Sequence, residues 1–198
     1  GATWTDTIAD PSEGATTDQY FGCPGWNAAT ADGMIIFVDA SASGLSVKRY
    51  DDSANSWAET AIIADGGFAP ATAQTSFPHV AVAVDIANSR NIVIAWTATD
   101  FVNSDLRCFL INDTTITEVT NVVLNSVDDQ GLAAIGIGTD TGYWYAFYGG
   151  KSDGSETFTS AINVYYKTSI DSGTTWGSET LLTGVIHDTR WLACTPRF

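Results

Sequence analysis

The chain has 198 residues, enough for one large domain with a sizeable core. Only 16% are charged and 12% are aromatic, with 18 Gly and 7 Trp, a turn-rich β profile that excludes a disordered chain. The 23 acids against 8 Lys plus Arg leave a formal charge of −15. That field repels phosphates, so no nucleic acid and no anionic membrane is expected as a partner.

No apolar run approaches the ~20 residues of a membrane span, so no membrane insertion is expected. The three cysteines, Cys23, Cys108 and Cys194, have no metal-ligand spacing, and their odd number argues against a disulfide-built scaffold. Cys23 and Cys194 fall in comparable strands of different repeats; a bond between them would need those strands adjacent.

In chain order, 4–9 reads as a final strand and 10–19 as a polar loop. A first unit spans 20–63, with strands at 23–29, 34–38, 45–50 and 57–63 and a hairpin signal at Ala31-Asp32-Gly33. A Gly/Ala/Thr-rich linker, 64–76, leads to a second unit at 77–124, with strands at 80–84, 91–97, 106–111 and 116–123. A third unit at 130–183 has strands at 132–138, 143–148, 162–167 and 175–182, and 187–198 reads as another first strand. No segment has a helical period. First strands are rich in small residues (Ala81, Ala83, Ala133, Ala134, Gly136) and second strands are bulky (Ile92, Ile94, Trp96, Trp144, Phe147). Apolar residues on both faces suit a sheet packed between two neighbouring sheets.

The most informative stretch is Ser169-Ile170-Asp171-Ser172-Gly173-Thr174-Thr175-Trp176. Asp171 can accept hydrogen bonds from the turn backbone, and Gly173 can take positive φ. The Ser169 and Thr175 hydroxyls can bond locally, and Trp176 can plug a short turn. Asp52 to Trp57 repeats the pattern with Ala54 and Ser56 in place of Gly and Thr, and Gly1 to Trp4 matches its end. Trp4, Trp57, Ile116 and Trp176 are separated by 53, 59 and 60 residues, a period that suits one four-stranded unit with long loops.

The Ser-x-Asp-x-Gly-x-Thr-Trp pattern resembles the Asp-box, or bacterial neuraminidase repeat, of sialidase-like β-propellers. The resemblance implies an all-β propeller of four-stranded antiparallel blades, three of them complete, with partial blades at 1–9 and 187–198. Ser169, Asp171, Gly173, Thr175, Trp176, Asp52, Trp57 and Trp4 would be structural box residues, on the face opposite the active site. Sialidases carry six blades, so the chain is expected to be part of a longer polypeptide or an assembly that completes the wheel.

On the other face this topology gathers Tyr20, Trp26, Phe77, His79, Asp128, Asp129, His187, Asp188, Arg190 and Trp191. The loops joining second to third strands add Asp100, Asp105, Lys151, Asp153 and Glu156. Carboxylates among aromatics suit sugar recognition, which makes Tyr20, Trp26, Phe77, Asp128, Asp129 and Trp191 the candidate ligand-binding residues. A sialidase needs a tyrosine nucleophile, an acid and an arginine cluster for its substrate's carboxylate. Arg190, with Asp188 and His187, is the candidate catalytic group, but no three-arginine cluster can be assembled. The acids at 128–129 and 153–156 could take calcium, but they lack the ligand spacing of a calcium loop, so the expectation is no cofactor, with calcium as the alternative. The resulting expectation is a non-catalytic module, extracellular or on a virion surface as in a tail fibre. It would bind a glycan or cell-surface ligand or serve assembly. The alternative is a fragment of a sialidase-like glycoside hydrolase.

Overall fold

The computed structural model describes residues 24–27, 32–39, 44–51, 53–64, 80–98, 104–112, 115–119, 131–138, 141–153, 155–156 and 163–183. They form twelve strands in three four-stranded antiparallel sheets. Sheet 1 holds β1 (Pro24–Asn27), β2 (Asp32–Asp39), β3 (Gly44–Asp51) and β4 (Ser56–Ala64). Sheet 2 holds β5 (Val80–Asp85), β6 (Arg90–Ala98), β7 (Ser104–Asn112) and β8 (Thr115–Val119). Sheet 3 holds β9 (Gly131–Gly138), β10 (Tyr143–Gly149), β11 (Val164–Ser169) and β12 (Thr180–Thr183). Each sheet is a meander in which consecutive strands are neighbours. The fold is all-β; the one helical piece among the described residues is a 3-10 turn, Ile86–Asn88.

Sheet 2 shows why both faces of these strands are apolar. Side chains alternate across a strand, so each face has its own set. Val80, Val93, Ala95, Phe109 and Ile111 pack against Met34, Ile36 and Val47 of sheet 1. The intervening residues, Ala81, Ala83, Ile92, Ile94, Cys108 and Leu110, pack against Ile135, Trp144, Ala146, Tyr148, Tyr165 and Trp176 of sheet 3. A strand buried on both sides gains from apolar residues at every position, worth roughly 1.5–3 kcal/mol for each large side chain removed from water. Contact across sheet boundaries runs through the first strands: β1 meets β5 and β6, and β9 meets β5, β6 and β7. The small side chains of β5 and β9 permit that approach.

Three sequence expectations need correction. Asp32 and Gly33 are not a hairpin turn but the start of β2, paired with Asn27 and Trp26 of β1. Gly33 lacks the positive φ that a turn glycine would use. The fourth strand of sheet 3 begins at Thr180 rather than 175, because Thr175 and Trp176 belong to the turn. Asp105 lies within β7, paired with Thr97, rather than in an insertion loop.

Candidate functional site

The described residues hold two polar constellations at opposite ends of sheet 3. The first is the turn after β11. Asp171 Oδ1 accepts from Thr175 N at 2.8 Å and Oδ2 from Thr175 Oγ1 at 2.6 Å. Ser169 Oγ donates to Asp171 Oδ1 at 2.8 Å and accepts from Gly173 N at 2.7 Å. Burial raises the Asp171 pKa, but the hydrogen bonds from Thr175 and Ser169 outweigh it and hold the carboxyl below its usual range. Gly177 N donates to Thr168 O at 2.8 Å, closing the turn. Gly173 sits at φ 82°, and a Cβ there would lie 3.1 Å from Ile92 Cδ1 and 3.3 Å from Leu110 Cδ2. Glycine is therefore required twice, for backbone sign and for the approach of sheet 2.

This turn is anchored across the sheet boundary. Arg90, first residue of β6, donates through Nη2 to the carbonyls of Ser172 and Asp171. Its Nε lies 3.4 Å from Asp85 Oδ2, and Asn88 Nδ2 donates to Ser172 Oγ at 2.9 Å. Trp176 is 8% exposed and packs in the core shared with sheet 2. Its indole bears on Cys108, whose thiol burial pushes up to about 12. A thiol that stays protonated is inert as nucleophile and as metal ligand.

The second constellation lies where β10 leaves the sheet and β11 returns. Tyr148 and Tyr165 are cross-strand partners whose rings stack at 6.5 Å. Tyr148 Oη donates to Glu179 Oε2 at 2.7 Å, and the same oxygen accepts from Ser152 N at 2.9 Å. Tyr165 Oη donates to Glu156 Oε2, which also accepts from Asn163 Nδ2 at 2.9 Å, while Asn163 N donates to Glu156 Oε1 at 2.8 Å. Burial and then Glu179 raise the Tyr148 pKa; burial and then Glu156 push Tyr165 to about 12. Burial raises Glu156 in turn, but the hydrogen bonds from Tyr165 and Asn163 leave it lowered. Beside them Lys151 pairs with Asp153, which also accepts from Ser155 N at 2.9 Å. These carboxylates are spent on holding the loop. Among the described residues no group of three or more His, Cys, Asp or Glu side chains is gathered to hold a metal ion.

Of the residues singled out from sequence, Ser169, Asp171, Gly173, Thr175 and Trp176 come together in the turn above. Trp26 lies in β1, paired with Gly33, and Trp57 in β4, paired with Tyr50. Tyr20, Phe77, His79, Asp128, Asp129, His187, Asp188, Arg190, Trp191, Asp52 and Trp4 lie outside the described residues. Arg107 is held by Glu118 through two bonds, 2.7 and 2.8 Å. Sequence reasoning missed Glu179, Tyr148, Asn163 and the role of Arg90. Their signal was strand register: Tyr148 and Tyr165 face the same side only once β10 and β11 are aligned.

No family model matches this chain, and no curated protein matches it. Among solved structures it is similar to an N-acetylgalactosamine deacetylase from F. plautii in complex with blood group B trisaccharide, with 13% identity and a TM-score of 0.42. That likeness covers 76% of this chain and 49% of the deacetylase chain, so the chain spans about half the length of its match. A likeness at that level assigns neither activity nor ligand.

Proposed function

We propose that the chain is a non-catalytic segment of a sialidase-like β-propeller, displayed outside a cell or on a virus particle, that binds a glycan or cell-surface ligand or serves assembly. In this reading each sheet is a blade, covering 20–63, 77–124 and 130–183, and the Ser169–Trp176 turn is an Asp-box. The supporting observation is the double-faced packing of sheet 2 with first strands meeting across each boundary. Radially arranged four-stranded sheets need that pattern, because their inner strands crowd toward one axis.

Two sets of groups among the described residues bear on hydrolysis. Neither Tyr148 nor Tyr165 is set up as a nucleophile, because each phenol donates to a carboxylate that, with burial, pushes its pKa up. Arg107 and Arg90 are engaged with Glu118 and with turn carbonyls, so neither is offered to a sugar carboxylate. Ligand contact would fall to the opposite face, with Tyr20, Trp26, Phe77, Asp128, Asp129 and Trp191 as its candidates. A glycan array run beside a fluorogenic sialoside assay tests this. Binding without hydrolysis is expected; turnover that Arg190→Ala abolishes would instead establish the sialidase-like hydrolase.

A further inference from the structure

An acidic sugar is held through cations. Its carboxylate or sulfate loses water on binding, and Arg or Lys replaces that water with charge-assisted hydrogen bonds, best made by a bidentate guanidinium. A neutral sugar makes no such demand, because its hydroxyls can donate to carboxylates and its ring can pack on aromatic side chains. The chain has 8 Lys and Arg residues against 23 acids. These cations are Lys48, Arg49, Arg90, Arg107, Lys151, Lys167, Arg190 and Arg197.

All but Arg190 and Arg197 lie among the described residues, and each of those is tied to partners or partly buried. Arg90 donates to the carbonyls of Asp171 and Ser172, with its Nε 3.4 Å from Asp85 Oδ2. Arg107 donates to both oxygens of Glu118 and lies 5.1 Å over the Phe109 ring. Lys151 Nζ is 2.5 Å from Asp153 Oδ2 and donates to Ser155 Oγ at 3.3 Å. Lys48 is 9% exposed and stands in register with Glu59 of β4. Lys48 and Arg49 both have interaction partners, and Arg49 Nε is buried. Lys167 is half-buried on β11, where burial lowers its pKa against the pull of Glu179. To serve a bound anion, these side chains would have to leave their present surroundings.

The net charge of −15 adds a field that attracts cations and repels anions. The ligand candidates read from sequence include Asp128 and Asp129, with Asp188 near Arg190 in the chain. We infer that the ligand is a glycan without acidic groups, and that a free amine on its sugars tightens binding. This inference rests on the glycan-binding reading above and names the class of glycan. A carboxylate or sulfate on the sugar would meet the field of the acids while the described cations are already held. An ammonium would meet the same field as an attraction. Such a field reaches about 8 Å at physiological ionic strength and roughly 30 Å in dilute salt, so discrimination grows as salt falls.

The test is a glycan array printed in matched sets and probed with the whole chain at low and at physiological salt. Each set holds one N-acetyllactosamine or chitin-type core as the neutral chain, as its sialylated or sulfated form, and as its N-deacetylated amine. At low salt the acidic member should bind at least ~10-fold more weakly than the neutral one, the effect of about 1.4 kcal/mol. The amine should bind more tightly than the neutral chain. Both gaps should narrow as salt rises, because a screened field discriminates less. The comparison varies the ligand and the salt alone, so no mutant has to fold. Equal or tighter binding of the acidic member, or a gap indifferent to salt, would overturn this inference and leave the glycan reading standing. Binding to no member of any set would overturn both.

Discussion

Two turns written in nearly the same residues behave differently in this molecule. Asp171-Ser172-Gly173-Thr174-Thr175-Trp176 and Asp52-Ser53-Ala54-Asn55-Ser56-Trp57 each join the third and fourth strands of their sheet. In sheet 3, Ser172 and Gly173 take φ of 57° and 82°, and Gly173 lies against Ile92 and Leu110 of sheet 2. In sheet 1, Ala54 stands where Gly173 does, and the left-handed residue is instead Asn55 at φ 50°. An alanine resists positive φ, whereas asparagine tolerates it. The Asn55 side chain accepts from Tyr50 Oη at 2.6 Å, so this turn is held from within its own sheet. The shared pattern is thus held in one turn by docking on a neighbouring sheet and in the other by a bond within its own sheet.

Breaking the docked turn should cost far more than breaking the exposed one. Trp176→Ala removes a buried indole from the shared core and should destabilise by about 3–5 kcal/mol in urea unfolding. Gly173→Ala should follow at ~2–3 kcal/mol, from backbone strain and from Cβ contact with Ile92 and Leu110. The matching change in sheet 1, Ala54→Gly, should stay within about 0.5 kcal/mol, since the position is exposed. Equal costs at the two positions would end the comparison.

Arg90→Ala should cost ~1–3 kcal/mol by leaving turn carbonyls without their charged donor. The loss should spread into sheet 3, read as faster amide exchange at Gly173 and Thr174 than at residues of sheet 1. Titration gives a weaker probe. Asp171 has a lowered folded pKa, so its contribution is present above the unfolded value of about 3.9 and is lost as pH falls below it. Asp171→Asn should flatten the acid limb of stability against pH. Tyr165 has a raised pKa, so its contribution is intact below about 10 and lost as pH climbs toward about 12. Tyr165→Phe should flatten the alkaline limb. A small effect belongs to Arg107→Ala, which removes a surface pair with Glu118 worth ~0.2–1 kcal/mol and should fade with salt.

The strands were legible because their signals are local. Val80 to Val84 alternates Val and Ala, and the Ser169–Trp176 pattern carries the chemistry of its own turn. Apolar residues on both faces of β6 foretold sheets on either side. What sequence could not supply was register and reach. Asp32-Gly33 carries turn residues yet lies in a strand, because the pairing of Asn27 with Asp32 sets where the hairpin closes. Trp176 read as strand, but its packing against sheet 2 holds it in the turn. Glu179 gave no signal at all. Its role depends on Tyr148, 31 positions earlier, ending with its hydroxyl 2.7 Å from that carboxylate. The opposite-face candidates, Tyr20, Trp26, Phe77, Asp128, Asp129, Trp191 and the Arg190 group, rest on topology alone.

The account turns on the seating of the Gly173 corner of sheet 3 upon sheet 2. Nuclear Overhauser spectra of the methyl-labelled chain test this directly. Strong cross-peaks are predicted from the Gly173 α-protons to the methyls of Ile92 and Leu110, where a Cβ would stand 3.1 to 3.3 Å from those side chains. Gly173 cross-peaks confined to residues of its own sheet would contradict it.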